Sequence, residues 1–437
     1  MKRAALMLAA LAALVPAGAA TAQDFAITGA TVAIGDGSEP VANGTVVVRA
    51  GKIVAAGAGV AVPPGVQVLD GSGMWVTPGL FAAFSDMGLY DVQAVGESDD
   101  RSADTSPFNA ALDVTPAINP AAQDIAVSRE GGVTRASVTP FNGSSIFAGQ
   151  GAIIDLGADA NAVTVPHAFQ LVDLSEGGAR LAGGSRVAAY VVLHNALREA
   201  RDVAAMGPAS DRKADAMLTR ADAAALGPVI EGRQPLYVGV ERAVDIRSVL
   251  ALKREFPKLD LVLVGATEGW LVAGEIAAAG VPVIATALND LPSSFEKLAA
   301  TQSNIGRMKR AGVTVAIGML AGSNQPRYAP QQAGNLVALA KLPGAAGLTW
   351  GEALAAITSI PARISGLGGT AGIKAGVLAP GAVGDVVIWD GDPLEVSSAP
   401  RRVFIDGVEQ PLDNHQSRLK QRYHDLDESV LPKAYDW

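Results

Sequence analysis

Residues 75–86 read WVTPGLFAAFSD and stand where the pattern of the chain changes. Before this stretch, from residue 25 to about residue 76, short runs of β-type residues alternate with turn residues. After it, from about residue 77 to residue 363, buried-strand runs alternate with helical stretches. The stretch therefore marks the passage from a β-rich region into a region of repeated βα units.

The βα region contains recognisable strands and helix starts. Thr349-Trp350-Gly351-Glu352 has the spacing of a capping box, which predicts a helix through Ile357. Asp245 and Arg254 lie near the two ends of another helical run and suit the helix dipole. Repeats of this kind favour an α/β fold with a (β/α)8 TIM-like barrel over an open doubly wound sheet. The predicted strands are residues 134–139, 236–240, 259–264, 281–285 and 314–318, and the predicted helices include 245–254, 270–279 and 293–311.

The last region returns to β-type patterns and is predicted to complete a small β-sandwich begun near the N-terminus. The charged tail could dock on a neighbouring surface or fray. The predicted organisation is a signal peptide at 1–22, a composite β-sandwich from 23–76 and 364–413, a barrel at 77–363 and a tail at 414–437.

The N-terminus has the pattern of a cleavable secretory signal. Lys2 and Arg3 precede an apolar run over residues 4–15, and Ala20-Thr21-Ala22 has the small residues of a cleavage site. Cleavage after Ala22 is predicted, with a periplasmic or secreted location. The apolar run is too short for a good membrane helix. No later stretch approaches ~18 uninterrupted apolar residues, so no membrane span is expected after cleavage.

Composition limits the classes of function. The chain of 437 residues has no cysteine, so an exported form would need a large core in place of disulfides. A formal net charge of −9 without a basic stripe argues against nucleic acid as a partner. Phosphate-binding glycine loops and the nucleophile elbow of serine hydrolases do not occur in the sequence, so these sites have no support.

Several short motifs follow one another in a definite order. They are GKIV at residues 51–54, VTPGL at 76–80, GQGA at 149–152, ATEG at 266–269, and DPL at 392–394 after the Pro-Gly at 380–381. In this order and at these intervals, the chain resembles the amidohydrolase superfamily, most closely the imidazolonepropionase-like branch of periplasmic amidohydrolases. The resemblance covers most of the chain after the signal. It implies a barrel inserted in a β-sandwich formed by both chain ends, and hydrolysis of C–N or amide bonds.

Family chemistry requires one or two divalent metals of the zinc type, held at the strand ends by imidazoles and a carboxylate. The resemblance places these ligands at four strand ends, where this chain has other residues. The substituted positions are Phe84 and Asp86 after the first strand, Gly239 and Glu241 after the fifth, Gly265 after the sixth and Leu320 after the eighth. Most of these side chains carry no donor atom for such a cation. We therefore expect the metal to be lost and no cofactor to be bound.

Two carboxylates remain as candidate site residues. Asp86 and Glu241 could form a new acid/base pair, or supply oxygen ligands to a calcium-like ion. Ser85, Asn142 and Arg242 are candidate substrate-binding residues near them. Alternatively, the two carboxylates are satisfied by salt bridges, with Arg242 as a candidate partner.

Three functions therefore stay open from the sequence. The first is a pseudoenzyme, a non-catalytic partner of an active amidohydrolase paralogue or a homo-oligomer that binds a small-molecule or peptide ligand. The second is an active hydrolase of C–N bonds with a site rebuilt around Asp86 and Glu241. The third is an exported structural protein whose sandwich or tail is the interaction surface. Resemblance in fold alone does not decide among them.

Overall fold

The chain was analysed as a computed structural model, which describes residues 22–92, 94–206, 214–318, 326–369 and 372–424. In chain order, the strands of these residues are β1 (Phe25–Val32), β2 (Val41–Arg49), β3 (Lys52–Gly57), β4 (Gln67–Asp70), β5 (Trp75–Pro78), β6 (Leu80–Ser85), β7 (Val133–Val138), β8 (Phe147–Asp155), β9 (Val163–Asp173), β10 (Leu236–Val240), β11 (Leu261–Gly265), β12 (Val283–Ala285), β13 (Val315–Ile317), β14 (Val386–Trp389), β15 (Pro400–Ile405) and β16 (Val408–Glu409).

The α-helices of the same residues lie mainly between the strands of the middle region. They are α1 (Gln123–Glu130), α2 (Glu176–Leu181), α3 (Arg186–Met206), α4 (Arg220–Ala225), α5 (Gly227–Ile230), α6 (Ala243–Glu255), α7 (Ala273–Ala279), α8 (Asn304–Arg310), α9 (Ala329–Leu339), α10 (Trp350–Ala355), α11 (Ser359–Ile364) and α12 (His415–His424). Short 3₁₀ helices add Gly96–Ser98, Thr115–Ala117, Gly269–Val272 and Pro326–Tyr328.

Strands β6 to β13 form one eight-stranded sheet in sequence order. Its first and last strands meet through two residues that follow α10. Phe81 donates its backbone N–H to the carbonyl of Ile357, and Ile317 donates to the carbonyl of Ala356, both at 2.9 Å. The sheet is therefore a nearly closed barrel, and the predicted TIM-like barrel is confirmed.

One strand of the barrel departs from the parallel arrangement. β8 pairs antiparallel with both β7 and β9, while the other neighbouring strands pair in parallel. The connections from β7 to β8 and from β8 to β9 lie wholly in the described residues and contain no helix. Antiparallel neighbours can be joined directly, whereas parallel strands need a crossover. Three barrel strands therefore form a meander inside the otherwise alternating βα pattern.

The interior of the barrel is filled by side chains. The rings of Phe169 and Tyr237 stack with their centroids 4.1 Å apart, and both side chains are buried. A Cβ atom at Gly151 would lie 2.1 Å from the Phe169 ring, so this glycine allows the ring to approach the backbone of β8. The centre of the barrel is a packed core, and any site must lie at its ends.

The helices that the sequence predicts around the barrel are present, with one exception. Thr349 and Glu352 form the predicted capping box at the start of α10. The predicted helices at 245–254 and 270–279 appear as α6 and as a 3₁₀ turn followed by α7. The prediction of a helix over 293–311 was wrong at its start, because only α8 is helical and residues 286–303 cross the barrel rim without a helix.

Strands from both chain ends build a second sheet beside the barrel. β14 pairs with β5 in the register Val76 to Ile388, which joins the C-terminal strands to the N-terminal ones. β1 pairs with β2 along one edge and with β4 and β5 along the other, so the sheet branches. The rings of Phe25 and Phe404 stack 4.3 Å apart in its core. The prediction that both chain ends build one β-unit is confirmed, while its residue boundaries stay a prediction.

Two terminal predictions fall largely outside the description. The signal segment belongs to residues 1–21, which the structure does not describe. Of the predicted tail, α12 is described, and it begins beside Asn414, whose Nδ2 donates to Glu130 at 2.5 Å. Among the described helices, none is both long and apolar enough to cross a membrane.

Candidate functional site

A cavity of about 290 Å³ opens at the C-terminal end of the barrel. Its walls come from the ends of β6, β9, β10 and β11 and from the connection between β7 and β8. The described apolar side chains at its surface include Phe84, Phe141, Leu171 and Val264, and the polar ones include Asn142, Asp173, Ser175 and Glu241. In barrels of this kind the C-terminal strand ends carry the functional residues, so this cavity is the candidate site.

Glu241 follows β10 and is held on both carboxylate oxygens. Its Oε2 accepts the backbone N–H of Thr267 at 2.9 Å and the hydroxyl of Thr267 at 2.6 Å. Its Oε1 lies 3.2 Å from Nζ of Lys297, and only 12% of the Glu241 side chain is exposed. The negative charge of Glu241 is therefore compensated within the protein.

Gly265 ends β11 and lies directly against this carboxylate. A Cβ atom at Gly265 would lie 2.6 Å from Oε1 of Glu241, closer than real Cβ contacts. The backbone at Gly265 also has φ +95°, a conformation that side chains with a Cβ atom disfavour. The Glu241 carboxylate therefore occupies the space that a side chain at residue 265 would need.

A looser form of this arrangement occurs one strand earlier, at Gly239 of β10. A Cβ atom at Gly239 would lie 3.0 Å from Oδ1 of Asp173. Asp173 ends β9, and its Oδ1 accepts the backbone N–H of Ser175 at 2.8 Å, a local turn that leads into α2. A side chain at residue 239 would therefore be in tight contact with Asp173, whereas one at residue 265 would overlap Glu241.

Asp86 is buried away from the cavity surface. Its side chain is 3% exposed, and its Oδ2 lies 3.2 Å from Nη1 of Arg101. Arg101 is held in turn by Asp99 at 2.6 Å and by the ring of Tyr90, whose centroid lies 4.4 Å from the guanidinium carbon. Burial raises the pKa of Asp86, and the ion pair with Arg101 opposes that rise.

A second buried carboxyl, Asp124, lies in the electrostatic field of Asp86. It stands at the start of α1 and accepts backbone N–H groups from Gly88 at 3.1 Å and from Ile125 at 2.8 Å. Burial raises the pKa of Asp124 to about 7; these hydrogen bonds lower it, and the charge of Asp86 adds a smaller rise. The two carboxyls form an acidic, buried link between the end of β6 and α1.

The remaining candidate residues divide between the cavity and its surroundings. Asn142 lines the cavity, and its Nδ2 donates to the carbonyls of Ser145 and Ile146. Ser85 donates its hydroxyl to the carbonyl of Ser137 at 3.0 Å and is buried. Arg242 pairs with Asp245 at 2.6 Å, and not with Asp86 or Glu241.

The structure therefore brings Asn142 and Glu241 together at the cavity and does not place Ser85, Asp86 or Arg242 on its surface. The suggested salt bridges of Asp86 and Glu241 do form, but with Arg101 and Lys297 rather than with Arg242. Leu320, the predicted eighth-strand position, lies outside the described residues.

Residues 286–303 form a rim segment that is tied to the strand ends at several points. Glu268 accepts the backbone N–H of Ala299 at 3.2 Å, and Trp270 donates its indole N–H to the carbonyl of Ala299 at 2.9 Å. Glu296 pairs with Arg186 of α3 at 2.7 Å. These bonds hold Lys297 over Glu241.

The described cavity does not fit the divalent metal that the sequence resemblance implies. Gly239 and Gly265 offer no side-chain donor, and the Lys297 ammonium already lies on Glu241. Within the described ranges, no group of three or more His, Cys, Asp or Glu side chains is arranged to hold a metal ion. A cation beside Glu241 would meet the repulsion of Lys297.

Sequence analysis did not identify Asp173, Lys297, Arg101 or Asp124. A signal for Asp173 exists, because it ends the apolar run of β9 and Ser175 then caps the next helix. The contacts of Lys297 with Glu241, of Arg101 with Asp86 and of Asp124 with Gly88 join residues that are distant in sequence, and no local pattern marks them.

No protein-family model matches this chain. A 65-residue part is 48% identical to the amidohydrolase tasK of Hapsidospora irregularis and covers 15% of this chain. The match spans only 6% of that relative's length.

The solved structures give a broader likeness. An amidohydrolase from Thermotoga maritima MSB8 superposes with a TM-score of 0.74 at 22% identity, over 88% of this chain and 99% of that one. A molinate hydrolase superposes with a TM-score of 0.53 at 16% identity, over 90% of this chain and 95% of that one. Phenylurea hydrolase B gives 0.52 at 16% identity, over 89% and 96%. The likeness confirms what the motifs predict: the chain has the fold of the amidohydrolase superfamily.

Proposed function

We propose that this chain is an exported amidohydrolase-fold protein that binds a small ligand at the barrel mouth and does not carry out metal-dependent hydrolysis. Similar proteins are named amidohydrolases or hydrolases, which supports hydrolysis of C–N bonds as the ancestral activity of this fold. A partner, either an active paralogue or a second copy, stays a prediction.

The observation that carries the proposal is the position of the Glu241 carboxylate against Gly265. The family resemblance places a metal-binding histidine at residue 265, and an imidazole there would need the volume that Glu241 fills. A Cβ atom at Gly239 would meet Asp173 only in a tight contact, at 3.0 Å. The space beside Gly265 is filled by another side chain of this protein, which supports a rebuilt binding site over a metal site that has merely lost single ligands.

The alternative is an active hydrolase in which Asp86 and Glu241 act as acid and base. Such a pair must reach one substrate, typically within hydrogen-bond distance of the reacting atoms. Asp86 pairs with Arg101 and is not among the described residues at the cavity surface. Glu241 is engaged by Thr267 and Lys297. These contacts favour the binding protein.

Metal content and hydrolysis test the proposal together. The purified chain is incubated with zinc and manganese, desalted and analysed by mass spectrometry, and then assayed on a panel of amides, ureas and N-acyl amino acids. We expect much less than one ion per chain and no turnover above that of Glu241→Gln. One tightly held ion per chain, or turnover that Asp86→Asn or Glu241→Gln abolishes in a folded protein, would overturn it.

A further inference from the structure

The charge balance of the cavity points to the kind of ligand that it takes. Two carboxylates, Asp173 and Glu241, lie at its surface. Lys297 compensates Glu241 at 3.2 Å. Asp173 accepts one backbone N–H, from Ser175, and no lysine or arginine of the described residues forms an ion pair with it. Among the described residues, the cavity therefore carries one negative charge without an internal counter-charge.

The walls around this charge are largely apolar. Phe84, Phe141, Leu171 and Val264 contribute to the lining. Aromatic faces attract organic cations, and a carboxylate forms its strongest hydrogen bonds with charged donors. An apolar body with one cationic nitrogen would satisfy both kinds of surface.

Other ligand classes fit this cavity less well. An anionic ligand would be repelled by Asp173. A neutral amide would displace water and leave the charge of the Asp173 carboxylate uncompensated. The cavity volume of about 290 Å³ lies at the lower end of the range of about 300–1,000 Å³ found for ligand pockets. It therefore suits a small ligand.

We propose that the cavity at the barrel mouth binds a small organic amine with an apolar substituent, whose ammonium group pairs with Asp173. This inference rests on the proposed function, because it names the ligand class of that same site. In this inference, the Asp173 carboxylate makes the cavity prefer cationic ligands over neutral and anionic ones.

Three matched probes test the ligand class on the unmodified full chain. Benzylamine, benzyl alcohol and benzoate share one ring and differ in charge, and their binding is measured by calorimetry at pH 7 and constant ionic strength. We expect benzylamine to bind at least ten times more tightly than the other two. Equal or tighter binding of benzyl alcohol or benzoate would overturn the amine assignment and leave the proposed binding function standing.

The variant Asp173→Asn tests the residue. Its Oδ1 can still accept the Ser175 N–H, so the local turn is retained, and the melting temperature reports whether the chain is folded. We expect at least a tenfold loss of benzylamine affinity in Asp173→Asn and no loss in the matched control Asp215→Asn, at an exposed position. Unchanged affinity in a folded Asp173→Asn protein would overturn the assignment of Asp173.

A third result separates this inference from the proposed function. If none of the three probes binds at millimolar concentration, the amine assignment fails. The metal and hydrolysis measurements then decide independently whether the chain is a non-hydrolytic protein, because they do not depend on any of these probes.

Discussion

At the scale of single residues, Asp124 gives the clearest pH dependence. Its pKa rises from 3.8 to about 7 because the carboxyl is buried at the start of α1 beside Asp86. The unfolded chain releases this proton near pH 4, whereas the folded chain keeps it until about pH 7. The free energy of unfolding that Asp124 controls therefore falls as the pH rises through this range.

From pH 5 to pH 8, the free energy of unfolding should fall less in Asp124→Asn than in the unmodified chain. We expect the two falls to differ by about 2–3 kcal/mol. Urea unfolding at both pH values measures it, and any pH-independent cost of the substitution cancels. Asp215→Asn, at an exposed position, is the control. Parallel pH profiles for Asp124→Asn and the unmodified chain would refute the prediction.

The sequence could identify some residues of the site and not others. Glu241 and Asn142 were found because they follow predicted strands at motif positions, and both line the cavity. Asp86 also follows its predicted strand, yet its carboxylate pairs with Arg101 of a long connection. Such a partner is set by the course of the connection, which no local spacing encodes.

At the scale of elements, the ion pair between Lys297 and Glu241 is one of several contacts that tie the rim segment 286–303 to the barrel. Both side chains are mostly buried, with 26% and 12% exposed. We expect Lys297→Met to cost about 1–2 kcal/mol, less than for a fully buried pair because Lys297 is partly hydrated. The backbone amide of Ala299, which donates to Glu268, should then exchange its hydrogen faster.

Hydrogen exchange by mass spectrometry and urea unfolding measure these effects. The matched control is Lys309→Met, because Lys309 lies 3.8 Å from Glu352 at a more exposed surface. We expect less than about 0.5 kcal/mol for that variant. Equal protection of the rim segment in Lys297→Met and Lys309→Met would show that the ion pair does not hold it.

Prediction of elements succeeded where the local signal was strong. The capping box at Thr349 and the apolar run of β10 gave correct elements. Residues 293–303 of the rim segment were predicted as the start of a helix, but the helix begins only at Asn304, and Lys297 instead pairs with Glu241 after β10. β8 and β9 were not predicted, because the sequence has no helix signal between them and β9 contains Pro166.

At the scale of the whole molecule, the order of the motifs predicted both the barrel and the second sheet. Motifs from both chain ends meet in the pairing of β5 with β14. How the two units are joined could not be predicted, since the joining residues are distant in sequence. Arg135 of β7 reaches Asp385 beside β14 and Asp406 after β15.

Arg135 is the residue whose loss should affect both units at once. Its Nε lies 2.7 Å from Asp385, with 3% and 2% of the two side chains exposed, and its Nη2 lies 2.8 Å from Asp406. Because Arg135→Met leaves the Asp385 charge buried without a cationic partner, we expect a loss of about 3–5 kcal/mol in the free energy of unfolding. Arg135→Lys should be more stable than Arg135→Met but less stable than the unmodified chain, since lysine cannot form the bidentate pair with Asp385. In the control Arg49→Met, which breaks a surface pair with Asp24, we expect almost no loss of stability, because both groups are hydrated and the pair is screened by solvent. Similar urea midpoints for Arg135→Met and Arg49→Met would show that the barrel and the second sheet are held together by apolar packing instead.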